Sequence, residues 1–501
     1  MNLNTTTISA IHASGLSVDS DIYFTTDTAE KKFWRIDNYD ISSLDDGEKV
    51  LINGVGQRFK PFVQDYVNAK WFGAKGDGVT DDKVAIQAAV DFAILYHMGE
   101  ILFPAGTYMV SDTIEITITS FVTDGAITIK GVGKKSTIFQ GITSKTNFAS
   151  KYTFFGETEP SGFHVPSLLG FNLWPIFHVK ADPDLNSYVS FEHLSVRGNN
   201  IFVKKGWYTF NEEGEPKVNY YWLDNDFNCE LTGIKLELTA IFYLEDVEII
   251  NCHICVHCAG ALVFNMNNFV IGGAYGANST YIGIFTEVNT FTITNSSGQP
   301  KIKNIYCNTI TLTNGRITYC AHKGIDFGQG SLLTIRSVDF EQNGSAVLED
   351  SIMVGDQETG AVFIRKDVVN EDTNFNEYNS NIKYGVALIN IYDCWFEAND
   401  GYTFYTEPGQ NNIINFTGCK FNVGSLYMLG VCIDLIGNGI IQGTKKVNIN
   451  GCISRLSFFY IKSTYSIIIA SDMTASTTAS FNDLDSINKR TIGMNTTSEP
   501  Y

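Results

Sequence analysis

An all-β solenoid, a stack of short coils sealed at its N-terminal end by one helix, is the fold class this sequence predicts. Three observations carry it. Short apolar strands recur at intervals of roughly 25 residues, the mark of a stacked repeat, with Gly, Asn and Asp between them. Two of the repeats match closely, Leu333–Asn343 and Ile389–Asn399. Trp71–Tyr108 reads as a glycine turn, a helix apolar on almost every side, and a strand. A coil that cannot bury its own inner row must stack on a neighbour. A helix without a polar face must be covered on both sides, so it plugs something.

Residues 1–70 are polar, with short β-like runs at Ile22–Phe24 and Lys49–Ile52, and read as a separate neck or attachment region. The helix is expected over 80–98. Thr80 stands at the N-cap, Asp81 and Asp82 fill the first turn where carboxylates suit the helix dipole, and Gly99 stops it. Ile86, Ala89, Val90 and Ala93 form its stripe, widened by Ala85, Phe92 and Tyr96. The solenoid then runs to 453, with strands at 113–119, 126–130, 191–196, 234–238, 242–250, 309–313, 332–340, 387–396, 412–421 and 446–453. Three stretches interrupt it, at 141–187, 200–229 and 345–383. Residues 454–501 have the composition of a closing or subunit-contacting segment.

Composition narrows the partners. The net charge of −19 argues against nucleic acid, whose phosphates need a basic face. No run approaches the roughly 20 apolar residues of a membrane helix, and the N-terminus lacks the basic and apolar regions of a secretory signal. Of the ten cysteines, Cys394, Cys419 and Cys452 fall at matching places in successive repeats and read as a reduced, buried ladder. Cys252, His253, Cys255, His257 and Cys258 have the density of a zinc half-site. Alternate strand residues point oppositely, so the five cannot converge, and no metal or cofactor is expected.

The run Gly76-Asp77-Gly78-Val79-Thr80-Asp81-Asp82 with Ala85-Ile86-Gln87, followed by Ile101-Leu102-Phe103-Pro104-Ala105-Gly106-Thr107-Tyr108, resembles the opening segment of the pectate-lyase-like right-handed parallel β-helix. Together with the lead-in from Leu44 to Phe72, it looks most like bacteriophage tailspike depolymerases. The resemblance covers about residues 40–110. It implies a right-handed parallel β-helix in a parallel homotrimer, joined to the phage tail or baseplate through the N-terminal region. It also implies a place on the virion, with manufacture in the host cytoplasm and action at the outer surface of the target bacterium. The implied partner is a bacterial surface polysaccharide, capsule or O-antigen, bound and cut without membrane insertion.

Cutting a glycosidic bond needs one group to protonate the leaving oxygen and another to attack or activate water, work suited to paired carboxylates. Aligning the two repeats puts Glu341 beside Glu397, one rung apart, and two carboxylates that close push their pKa values apart. Alternation puts Asp339 on the face of Glu341 and Asp393 on that of Glu397. The alternative is a turn motif, Phe-Glu-x-Asn, whose Glu accepts backbone N–H bonds and whose Asn stacks in a ladder. His322, Lys323 and Arg336 are candidates for binding an anionic sugar, or belong to an ordinary solvated turn. Trp207, Tyr221, Trp222 and Trp395 are candidate stacking platforms for sugar rings, or a satellite core. Hydrolysis is the favoured chemistry. β-Elimination on the same fold and non-catalytic adhesion are the alternatives. The sequence holds no Asn-Thr-Asp with Gly-His-Gly, no Arg-x-Pro-x-x-Arg, no phosphate loop and no Gly-x-Ser-x-Gly elbow.

Overall fold

The structure of the chain, a computed structural model, describes residues 3–118, 126–142, 174–221, 231–365 and 386–475 with short omissions. The aromatic stretch at 143–173 and the tail beyond 475 lie outside the described residues. From residue 66 onward, parallel strands stack into a right-handed β-helix with three sheets. Sheet I runs from Ile114–Ile118 through Trp174–Ala181, Thr280–Glu287 and Cys320–Phe327 to Gly360–Ile364 and Tyr402–Thr406. Sheet II includes Ala126–Lys130, Thr309–Thr313 and Val386–Tyr392. Sheet III includes Gly106–Val110, Thr137–Gly141, Val270–Gly272 and Trp395–Glu397.

One extended run, Leu231–Ile250, crosses all three sheets by bending at Leu238 (φ 59°) and Asp246 (φ 51°). The corner between sheets II and III takes a single left-handed residue in coil after coil. His193, Asp246, Asn268, Asn314, Ser337 and Asp393 hold φ of 51–56°, and Gly418 and Gly451 follow at 66° and 59°. Asn and Asp tolerate this region better than other side chains, which explains their recurrence at the position. At Gly418 a Cβ would stand 2.4 Å from Asp393 Oδ1, so a larger residue there would have to displace the Asp393 carboxylate.

Inside, rings stack along the axis. Phe103, Phe139, Phe177, Phe191, Phe242 and Phe264 make successive contacts at 4.8–5.8 Å between centroids. Phe340, Phe396 and Phe421 continue at 4.9 and 5.2 Å, nearly parallel. Cys394, Cys419 and Cys452 are buried and free. Cys258 and Cys307 bring their sulfurs to 3.1 Å.

The plug differs from the expected one at its start. The 80–98 helix is Lys83–Tyr96, and Asp77–Asp81 pairs as a strand with Gly106–Val110. Thr80 lies within that strand, three residues ahead of the first helical residue, too far to cap it, and its hydroxyl donates to Asp77 Oδ2 at 2.8 Å. Asp77 also accepts from the N–H groups of Val79 and Thr80, and these bonds hold its carboxyl down at about 2. Asp82 is instead spent on the glycine turn, accepting from Lys75 N and Gly76 N. His97, at φ 58°, ends the helix ahead of Gly99.

Ile86, Ala89, Val90, Phe92 and Ala93 are buried. The helix lies between the first coil and a five-stranded N-terminal sheet in the order Leu3–Thr6, Ile22–Thr25, Lys32–Ile36, Arg58–Phe62, Leu51–Ile52. Phe24 of that sheet meets Phe92 at 4.8 Å and Tyr96 at 4.7 Å. The two-sided burial demanded by the sequence is met in this way. Tyr66–Asn68 already pairs with Glu100–Leu102, so the solenoid begins before Trp71. Ser466–Ser471 and Thr474–Ala475 continue its sheets beyond 453.

Two buried histidines set an acid limit. His253, Tyr281 and His322 stack at 4.8 Å intervals, and burial holds both histidines down at about 3. Their neutral forms contribute stability that is complete above about 6.5 and is lost as pH falls toward 3. His178 moves the other way, because Glu237 and Glu115 outweigh its burial and raise it, so its contribution is already complete below 6.5. The melting temperature should therefore fall between pH 6.5 and 4.5, before ordinary carboxylates protonate. His322→Asn should flatten that slope in calorimetric scans; an unchanged slope would contradict the assignment.

Candidate active site on sheet III

The register brings the repeated Phe-Glu-x-Asn motifs into contact as the sequence predicts. Asp339, Phe340 and Glu341 lie directly beside Trp395, Phe396 and Glu397. Phe340 and Phe396 point inward and are buried, so Glu341 and Glu397 point outward from adjacent rungs, about 4.8 Å apart at the backbone. The column through them reads Thr318, Glu341, Glu397, Asn422, and the one beside it Arg316, Asp339, Trp395, Lys420.

Neither glutamate serves the turn. The two asparagines hold it instead: Asn343 donates from its backbone and side chain to Asn399 Oδ1, and the Asn399 side chain donates to Phe340 O. Glu341 receives Arg316 Nη2 at 2.8 Å, while Arg316 Nε binds Asp339 Oδ2 at 3.1 Å. Glu397 accepts from the neutral amide of Asn422 at 2.9 Å. The two carboxylates thus sit side by side with different partners, one a cation and the other an amide. Trp395 stands 42% exposed with Lys420 Nζ 4.1 Å over its ring, leaving an aromatic surface on the same face.

Not every candidate joins them. Asp393 is the left-handed residue of the II–III corner, so alternation does not run through it and it lies off the face of Glu397. Arg336 is on sheet II, exposed, over the Tyr392 ring at 5.0 Å. His322 and Lys323 are buried on sheet I rather than on a solvated turn. Lys323 pairs there with the fully buried Asp326 at 2.9 Å, and Arg365 binds the same carboxylate at 2.6 Å. Arg365, within the stretch 345–383 that the sequence marks as an interruption, directly follows a sheet I strand. Trp207 and Tyr221 lie on a hairpin, Lys205–Phe210 against Pro216–Tyr221, and Trp222 lies outside the described residues. Of the zinc-like cluster, Cys252, His253, Cys255 and Cys258 are buried, whereas His257 turns outward to Glu287 at 2.6 Å.

Sequence reasoning missed Arg316, Lys420 and Asn422. The signal was present, because Gly315-Arg316-Ile317-Thr318 and Cys419-Lys420-Phe421-Asn422 occupy the repeat positions of Val338–Glu341 and Cys394–Glu397.

The sequence pattern of the family described as rhamnogalacturonase A/epimerase, pectate lyase-like, matches residues 66–163. Mannuronan C5-epimerase AlgE6 of Azotobacter vinelandii is 32% identical over 147 residues, 26% of this chain and 16% of that protein. Alginate lyase 7 of the same organism is 41% identical over 73 residues, 15% of this chain and 8% of its own. The chain spans only 4% to 16% of the length of the curated relatives it matches. Among solved structures, the gp42 tailspike of Acinetobacter phage vb_AbaP_AS12 aligns with TM-score 0.46 and 11% identity over 95% of this chain and 68% of that one. A GH87 α-1,3-glucanase of Streptomyces thermodiastaticus aligns with TM-score 0.45 and 10% identity over 89% and 75%. No chemistry transfers at those scores. The coils make this chain a right-handed parallel β-helix, and residues 66–163 at its start are similar to the pectate-lyase-like pattern.

Arg316 is half exposed, and exposed ion pairs contribute about 1 kcal/mol or less. Arg316→Met should leave the melting temperature within a few degrees, on the order of what such a loss shifts. If Glu341 works on substrate, the same change should lower polysaccharide cleavage at least tenfold. Equal rates in a reducing-end assay would separate Arg316 from function.

Proposed function

We propose that this protein is a phage tailspike that binds and depolymerises bacterial surface polysaccharide, capsule or O-antigen, by glycoside hydrolysis. The observation that carries the reading is the juxtaposition of Glu341 and Glu397 on one outward face, with unlike partners. Glu341, ion-paired to Arg316, suits the group that works as an anion. Glu397, beside an amide, suits the one that hands its proton to the leaving oxygen. Asp339 is the reserve carboxylate, and Trp395 offers a platform for a sugar ring. The match of residues 66–163 to a pectate-lyase-like pattern supports a polysaccharide substrate, as do the stretches shared with relatives named as a mannuronan C5-epimerase and an alginate lyase. Assembly as a parallel homotrimer and attachment to the virion tail through the N-terminal sheet belong to the same proposal, and rest on the resemblance of residues 40–110 to tailspikes.

A second reading, β-elimination from a uronic-acid polymer, is favoured by Arg316 and Lys420 on the same face, which would neutralise a sugar carboxylate. One assay separates the two. Hydrolysis yields reducing ends without ultraviolet absorbance, whereas elimination yields both. Glu341→Gln and Glu397→Gln should each lower cleavage at least a hundredfold, the ordinary contribution of a positioned acid or base. Folded variants that cleave at the normal rate would remove the pair from the chemistry.

A further inference from the structure

Two thiols that take no part in the site on sheet III face each other at the corner between sheets I and II. Cys258 lies on Ile254–Asn267, between Leu236 of the coil before and Thr286 of the coil after. Cys307 comes 49 residues later, where the chain returns from a hairpin, Asn289–Thr294 against Pro300–Ile305, and re-enters the solenoid. The next residue fixes the re-entry. Asn308 N donates to Ala261 O at 3.1 Å, and Thr309–Thr313 then pairs with Val263–Asn267. Between Cys258 and Ala261 the chain bends at Gly260, φ 80°. A strand residue and a corner residue are thereby brought together, and both are fully buried.

Their sulfurs stand 3.1 Å apart. Non-bonded carbon atoms already settle at about 3.5–4.0 Å, and sulfur is larger. A disulfide is about 2.05 Å long, so closing one here asks each sulfur to move by about half an ångström. The ladder of Cys394, Cys419 and Cys452 is different. Those residues directly precede the matched positions Trp395, Lys420 and Ile453, so their side chains lie side by side rather than face to face. Their thiols donate to the main-chain carbonyls of Tyr392, Thr417 and Asn450. Burial, and after it the neighbouring Cys307, hold the Cys258 thiol well above its ordinary value. Little thiolate is therefore present, and the pair reacts slowly.

We propose that Cys258 and Cys307 form an intrachain disulfide when the folded protein meets hydrogen peroxide, and that this bond staples the foot of the hairpin to the preceding coil. One sulfur, giving up its proton, attacks a peroxide oxygen; the O–O bond breaks, a sulfenic acid forms and water leaves. The second sulfur attacks the sulfenic sulfur, the S–O bond breaks, and the departing hydroxyl carries off the second thiol's proton as water. Each sulfur loses one electron, and one peroxide is reduced to two waters. An oxidant of that size needs only a local opening of the corner, whereas a bulky disulfide such as oxidised glutathione would have to enter the core. The bond closes a loop of about 50 residues in the unfolded chain, so its effect falls on stability. The inference stands apart from the polysaccharide reading, because neither cysteine belongs to that site.

The test uses the full-length protein, purified under a reductant that is then removed. Half is treated with hydrogen peroxide, and both halves are unfolded in an alkylating reagent and digested with trypsin. Leu236–Lys301 carries Cys258 and Asn304–Arg316 carries Cys307, so the bond appears as these two peptides joined, with two fewer alkylated cysteines. Fragmentation of the joined pair should place the bond at Cys258 rather than at Cys252 or Cys255. The melting temperature of the treated protein should rise by about 5 °C, and dithiothreitol should reverse the rise. Cys307→Ser should abolish both the joined peptides and the rise; where that variant folds poorly, the peptide map of the unmodified protein decides alone. Full alkylation after peroxide overturns the proposal, as does sulfinic acid at either cysteine without a link, or a bond from Cys307 to Cys252 or Cys255. A bond at Cys258 with no rise in melting temperature overturns the staple.

Discussion

The fold depends on one conformational constraint, the single left-handed residue that turns each coil from sheet II to sheet III. Because the corner is one residue long in coil after coil, the strand after it cannot slip against its neighbour. A slip by one position would turn every inward side chain outward. Glu341 and Glu397 come four residues after their corner residues, Ser337 and Asp393, and for that reason share a rung position. The stacked rings of Phe340, Phe396 and Phe421 and the Asn343–Asn399 bond reinforce the same register from inside.

Much of this was legible in the sequence, for identifiable reasons. The repeat alignment worked because the solenoid imposes one residue pattern on every coil, so the register of Leu333, Ile335, Phe340 and Glu341 against their partners could be read directly. The helix start was not legible, because Thr80 and Asp82 are equally good caps and turn partners, and only tertiary geometry assigned them to the turn. Asp393 was misplaced for a related reason: strand alternation holds within a sheet and fails across a bend. Arg365 and Asp326 lie 39 residues apart, with the chain leaving and re-entering the solenoid between them, so no local pattern announces their pairing. The same holds for His257 and Glu287, 30 residues apart.

The three faces divide the labour in a way that overall charge conceals. A chain of net charge −19 still places cations where carboxylates need partners: Arg316 beside Asp339 and Glu341 on sheet III, Lys235 beside Glu237 on sheet I. On sheet II the stacked side chains of Asn390, Asn415 and Asn448 bond amide to amide and carry no charge. Ion pairs on sheets I and III and an amide ladder on sheet II thus run side by side along one rigid stack.

The side chain of Gln87 on the plugging helix has a consequence for assembly. Its amide donates to Glu115 O and accepts from Glu115 N, both at 2.9 Å, copying the bonds a further strand would make to Ile114–Ile118. An open sheet edge is a template for another chain, and a parallel solenoid is especially exposed to this because its end resembles its own next coil. The glutamine occupies the template with a counterfeit strand one residue long. Together with the helix it ends a stack that could otherwise grow from molecule to molecule into a fibre.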